Sequence, residues 1–138
     1  MFFPMRGLAA ILMGLLASGG AVWAQERPIT PEVLLGRIEG RTMAFVDRRT
    51  GAVVGYERFL SRSQSQWRDE NGKCVRGDVY VEGPTLCFRY EDEPSVAHCW
   101  LPFKEGPDVG YRSTLTGEVQ LMRDAEPADA ECEIVPLS

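Results

Sequence analysis

His98 is the chain's one histidine, and the only side chain whose ordinary pKa suits proton transfer near neutrality. As a general base it would need an orienting carboxylate and a nucleophile or substrate within reach. Ser95 lies three residues earlier, across the start of a strand, and so points to the opposite face. His98 therefore reads as a structural residue beside Trp100. Glu91-Asp92-Glu93 could be taken for a paired-carboxylate or calcium site. Three adjacent acids in a tight hairpin diverge and stay hydrated, which makes them a solvated loop. The chain has no Gly-x-Ser-x-Gly, no His-Glu-x-x-His and no phosphate-cradling glycine motif. No catalytic residues, metal or cofactor are expected, and the protein reads as a non-enzyme.

Cys74, Cys87, Cys99 and Cys132 are separated by 12, 11 and 32 residues, without the close pairs that zinc requires. An even count in an exported chain reads as two disulfides. Export is indicated by the first 24 residues. Arg6 follows the amino terminus, Leu8 to Leu16 is an uncharged apolar run, and Gly19-Gly20 breaks any helix. Val22-Trp23-Ala24 then places small residues before Gln25, the pattern of a secretory signal cleaved after Ala24. Residues 25–138 form one domain, expected in the periplasm or secreted, with no membrane insertion after cleavage. The sequence leaves its oligomeric state open.

The formal charge is −5 over 138 residues, which argues against nucleic-acid binding. Residues 37–76 hold nine bases against five acids, and the remainder is acidic. That polarity reads as a salt-bridged surface rather than a polymer-docking face.

Thr30 to Gly36 predicts one or two helical turns, with Thr30 as N-cap, Pro31 at the first helical position and Gly36 as the stop. So short a helix must lean Val33 and Leu34 on other elements. Turn signals follow at Thr50-Gly51, Asn71-Gly72, Gly83-Pro84, Glu93-Pro94, Gly106-Pro107 and Thr116-Gly117. The runs between them are rich in β-branched and aromatic residues: 41–47, 52–60, 74–81, 85–90, 96–103, 109–114 and 118–123, with 64–68 as a weaker eighth. Connections this short exclude parallel crossovers. They predict an all-β antiparallel meander of seven or eight short strands, forming a small barrel or a two-layer sandwich. Gln25 to Thr30 reads as a polar lead-in. Asp124 to Ser138 reads as a tail crossing the surface, pinned by Cys132.

If Glu91–Ser95 is a hairpin loop, Tyr90 faces Val96 and Cys87 falls directly opposite Cys99. If Glu82-Gly83-Pro84 is the preceding turn, Val81 faces Thr85, which takes Cys74 out of register with Cys87. The pairing Cys87–Cys99 with Cys74–Cys132 follows. The same registers collect Val75, Val79, Val81, Thr85, Cys87, Ala97, Cys99, Leu101 and Phe103 on one face, the natural core side. The other face carries Arg76, Asp78, Tyr80, Leu86, Phe88, Tyr90, Val96, His98 and Trp100. A solvated sheet face should be polar. This one is aromatic, so something covers it: the protein's own chain in the favoured reading, or a ligand or partner. Tyr80, Phe88, Tyr90, His98 and Trp100 are the candidate ligand-binding residues.

Gly72 to Trp100 reads GKCVRGDVYVEGPTLCFRYEDEPSVAHCW. With Tyr111 to Arg123 and Cys132 it resembles small exported alphaproteobacterial proteins built on a domain of unknown function. Their pattern is Gly-Lys-Cys, Gly-Asp-Trp, Cys-Phe-x-Tyr, His-Cys-Trp and a last cysteine near the C-terminus. It falls here on Cys74, Gly77-Asp78, Cys87-Phe88-Arg89-Tyr90, His98-Cys99-Trp100 and Cys132, with Val79 in place of the tryptophan. The resemblance implies export, two disulfides and a β-fold, and it brings no catalytic residues.

The leading expectation is an exported envelope binding module, taking a small ligand or a partner protein on the aromatic face. An inhibitor of a secreted hydrolase, inserting the Glu91–Ser95 loop, is the alternative. An enzyme dependent on His98 comes third.

Overall fold

The computed structural model describes residues 25–132. The expected secretory signal, 1–24, lies outside the described residues, as does the end of the tail, 133–138. The elements are β1 (Glu26–Pro28), α1 (Pro31–Ile38), β2 (Thr42–Asp47), β3 (Val53–Phe59), β4 (Gln64–Asp69), β5 (Cys74–Glu82), β6 (Thr85–Tyr90), β7 (His98–Glu105), β8 (Asp108–Ser113), β9 (Val119–Asp124) and a 3-10 turn (Pro127–Ala130).

Strands β2 to β9 pair antiparallel in chain order, and β9 returns to β2 with Met43 opposite Asp124 and Asp47 opposite Gln120. Eight strands thus close into an up-and-down barrel, in which each is paired on both sides over at least part of its length. All eight expected strands form, including the weak one at β4, and the architecture is the barrel rather than the sandwich.

Two segments at the chain's start differ from expectation. The lead-in forms β1, which pairs with the last part of β7, Glu26 opposite Glu105 and Pro28 opposite Phe103. It fills the gap left where β6 stops pairing with β7 at Leu86–Trp100. Glu26 fastens it, 2.9 Å from Arg48 and 2.7 Å from Arg112. Those hydrogen bonds, Arg48's foremost, hold its carboxyl below the usual range. The helix runs past Gly36 to Ile38 and ends at Glu39, whose backbone is extended. Val33 is half exposed, and Leu34, Leu35 and Ile38 are the side chains pressed into one end of the barrel. Their spacing of three and four residues puts them on one stripe.

The registers explain which face looks inward. Cys87 lies opposite Cys99 as expected, and the two are bonded; Cys74 is bonded to Cys132. The turn between β5 and β6 is one residue shorter than read: Glu82 pairs with Thr85 across Gly83-Pro84 alone. Gly83 has φ 55°, the conformation that a tight two-residue hairpin turn needs at its first position. A one-residue slip flips every side chain of a strand. Val79 therefore sits beside Phe88, and Tyr80 beside Cys87, on the opposite side.

A second correction concerns the core. The face carrying Leu86, Phe88, Tyr90, His98 and Trp100 is the barrel interior, covered by the protein's own strands. The cysteine face is the outer wall. Phe88 meets Phe59 and Tyr90, and Tyr111 meets Phe45 and Trp100, in one continuous cluster. Eight strands enclose just enough space for side chains to fill, and bulky rings suit it. On the outer wall Phe103 is still buried, beneath β1 and the Arg48 guanidinium.

After β9 the tail crosses the outside of β2, β3 and β4 through the 3-10 turn, burying Ala130. Arg68 donates to the Asp129 carbonyl at 2.9 Å, and Gln66 to Cys132 Sγ. As far as Cys132 the tail is a strap, pinned there to the start of β5.

Candidate functional site

The two ends of the barrel are different surfaces. One receives α1. The other carries the loops 48–52, 70–73, 91–97 and 114–118 and opens into a cup of about 270 Å3. Its wall is Trp67 from β4, Tyr90 from β6, His98 and Trp100 from β7, and Tyr111 from β8. Val75 and the buried Gln120 complete the wall, and Asp69, Lys73, Asp92 and Glu93 stand at the rim.

The cup exists because small residues stand opposite large ones. A Cβ at Gly55 on β3 would fall on the Trp67 ring, and one at Gly77 on β5 would lie 2.8 Å from the Tyr90 ring. The two glycines leave the space into which these rings lie down. Trp100 and Tyr111 meet edge to face at 4.2 Å between centroids, and Tyr111 continues to Phe45 at 5.0 Å. Tyr90 stacks on Phe88 below and meets His98 above at 5.8 Å. Such contacts fix ring orientation beyond simple area burial.

Beneath this layer lies Glu57 of β3, wholly buried, directly opposite Trp67. The Tyr90 hydroxyl donates to its two carboxyl oxygens at 3.4 and 3.3 Å. The buried Ser65 hydroxyl lies close to the same carboxyl, though among the described residues its Oγ makes no hydrogen bond. Loss of hydration pushes the Glu57 pKa up to about 8 against the lowering effect of both hydroxyls, so the group is mostly protonated at neutral pH. Burial, and then the nearby Glu57 charge, also hold Tyr90 and Tyr111 well above the ordinary phenol range, so both keep their protons.

At the rim, Glu93 Oε2 lies 3.6 Å from His98 Nε2, and Lys73 Nζ lies 3.3 Å from Asp92. Asp69 accepts the backbone N–H groups of Asn71 and Lys73, each at 2.9 Å, which shapes the β4–β5 loop. Arg89, reaching to the Pro94 carbonyl at 2.7 Å, holds the β6–β7 loop.

Of the five residues singled out from sequence, Tyr90, His98 and Trp100 line the cup. Phe88 is buried one layer below, and Tyr80 is on the outer wall. The change of face at Tyr80 follows from the turn's being one residue shorter than expected. Trp67, Tyr111 and Glu57 were missed. Alternation gave a usable signal for Glu57: Gly55, Glu57 and Phe59 share a face, and a carboxylate in step with a buried phenylalanine marks an inward polar group. Trp67 and Tyr111 reach the cup through closure, which strand pattern alone does not specify.

Two other places on the molecule offer less. An outer groove of about 500 Å3 lies between β1 and the β5–β6 turn, lined by Pro28, Ile29, Pro31, Pro84, Leu101 and Phe103. Of its three charged members, Glu26 and Arg112 are bonded to each other and Glu32 is left, so few polar groups converge on its space. Glu82 approaches the sulfurs of Cys87 and Cys99, but these are joined and offer no thiolate to a metal.

The two disulfides indicate an oxidising, non-cytoplasmic environment. Among the described residues no helix is long and apolar enough to cross a membrane. No family model, curated protein or solved structure matches this chain.

Proposed function

We propose that this is an exported, non-enzymatic binding protein of the periplasm or exterior, whose small ligand enters the open end of the barrel. The observation that carries this reading is the cup itself. It is a concavity with five ring-bearing walls and a few convergent polar groups, built on rigid strands and open to solvent. The secretory pattern of residues 1–24 and the resemblance to exported proteins support the location.

Trp67 and Trp100 are the only tryptophans after residue 24, and both face the cup. Intrinsic fluorescence of the exported chain is therefore a direct reporter of occupancy. Small-molecule fractions of the envelope should shift its emission, and native mass spectrometry should show a retained low-mass adduct. Replacing Trp100→Leu should abolish the adduct. If a folded protein gives no emission change with any fraction, or the adduct survives that substitution, the reading fails. Intact mass of the exported protein should correspond to a chain beginning at Gln25.

The exposed, internally bonded loop 91–95 favours a second reading, an inhibitor of a secreted hydrolase. In that case a captured enzyme would remain bound to the Trp100→Leu variant and would be lost when the loop is shortened.

A further inference from the structure

We infer that the cup takes a small organic cation, an alkylated ammonium head group of the choline type, held against the faces of Trp67, Tyr90, Trp100 and Tyr111. This rests on the reading of the open end as a ligand site.

Size comes first. A volume of about 270 Å3 equals the liquid share of roughly nine waters at ~30 Å3 each. That lies below the ~300–1,000 Å3 of pockets for drug-sized ligands, so a compact group fits better than an extended one.

The walls come second. Aromatic faces within ~6 Å of a cation attract it through the ring quadrupole, most strongly once water is displaced, and alkylated ammonium is the ion such cages hold. An ammonium bearing methyl groups needs few hydrogen-bond acceptors, and this suits a wall made of rings with Val75 and the single amide of Gln120. The two tyrosine hydroxyls keep their protons, so the rings stay neutral.

The sign of charge comes third. Asp69, Asp92 and Glu93 line the cup against the single ammonium of Lys73, which is already paired with Asp92. His98 Nε2 is turned toward Glu93. An anion would meet three carboxylates and no free cation. A neutral ring would gain from the walls and nothing from the rim. A methylated cation gains from both.

The test compares choline with 3,3-dimethylbutan-1-ol, which has the same shape but carbon in place of the charged nitrogen. Tryptophan emission and calorimetry on the exported chain should show choline binding at least tenfold more tightly. Raising salt from 50 mM to 500 mM should narrow that gap. In the double variant Asp92→Asn with Glu93→Gln, whose altered groups are exposed, the preference should fall at least threefold with the fold intact. Vesicles with phosphatidylcholine, against vesicles with phosphatidylglycerol, separate the two sources of this head group. Capture by the first alone assigns a lipid, and binding of free choline alone assigns a soluble ligand. Equal affinity for the neutral isostere, or binding of acetate or benzoate in place of choline, overturns the inference and leaves the site reading standing. If neither charged nor neutral probes perturb the tryptophans, the inference is overturned, and the site reading is then decided by the envelope fractions alone.

Discussion

The two ends of this barrel are built from the same strands and solve opposite problems. At the α1 end, Leu34, Leu35 and Ile38 join Phe59, Leu86 and Phe88 in the core, and the groove of about 480 Å3 that remains there lies between α1 and the ends of β8 and β9. At the other end the interior continues upward as rings, with Trp67 and Tyr90 lying over Gly55 and Gly77, and above them a cup is left open. Stability concentrates where the core is filled, and the capacity to bind lies where it is not. The open end has less packing to hold it, and both disulfides brace the wall on that side. Cys74–Cys132 fastens the first residue of β5, and Cys87–Cys99 joins β6 to the start of β7.

Glu57 stands at the boundary between the ends, and the largest effect is expected there. Its folded pKa of about 8 lies above the ordinary 4.5. The folded state therefore keeps a proton that the unfolded chain gives up. The stability this provides is complete below about pH 4.5 and is lost as pH rises toward 8. The full span is roughly 5 kcal/mol at ~1.4 kcal/mol per pH unit, an upper bound for a group that relaxation or water can reach. Urea denaturation of the wild type and Glu57→Gln from pH 4 to 9 should show the difference between them moving in favour of glutamine, then levelling. A pH-independent difference would mean that Glu57 is not a buried acid and that the boundary layer is wet.

Truncation in the filled end should come next. Phe59→Ala removes a wholly buried ring beside Phe88, and large-to-small changes of this kind cost about 3–5 kcal/mol. Trp100→Ala, on a residue partly exposed at the cup, should cost less and should remove ligand-induced emission changes. If the two costs are equal, the contrast between the ends fails.

The strap provides a sharper separation. Cys74 and Cys132 are 58 residues apart, and the chain-entropy model gives their link about 4 kcal/mol, against about 3 for the 12-residue separation of Cys87 and Cys99. Replacing Cys74→Ser with Cys132→Ser should lower the unfolding midpoint. Hydrogen exchange should quicken first in β4 and β5 near their open-end loop, while α1 and β3 near Phe59 keep their protection. Uniform acceleration would show that the disulfide braces the molecule as a whole rather than one end of it.

Much of this was legible because it depends on local periodicity. Turn residues at short intervals mark all eight barrel strands, and the register read for the β6–β7 hairpin puts Cys87 against Cys99, although β7 begins only at His98 and the connection is longer than the five residues expected. The failures share one physical origin, which is that the sequence does not state how a strand's two faces are used. A single residue at Gly83-Pro84 moved Tyr80 from the candidate site to the outer wall. Closure then turned the aromatic face into the interior and brought Trp67 and Tyr111, distant in sequence, to the same cup. Gln25 to Thr30 is too short and polar to announce a strand, and β1 forms only because β7 offers an edge and Arg48 and Arg112 hold Glu26. Tertiary context supplies what propensity lacks.

The smallest effects belong to the rim, where the difference between stability and function should be most complete. The Lys73–Asp92 pair is largely solvent-exposed, and pairs of this kind contribute about 0–1 kcal/mol. Asp92→Asn also removes no buried contact, because the loop is held by Arg89 on the Pro94 carbonyl rather than by the Asp92 side chain. Its unfolding midpoint in urea should match the wild type within about 0.5 kcal/mol. The same substitution frees Lys73 from its partner and makes the rim less negative, so any charge preference of the cup should weaken while the fold is untouched. A stability loss above 1 kcal/mol would place Asp92 in the framework of the open end instead, and the loops there would have to be counted with the walls that hold the cup in shape.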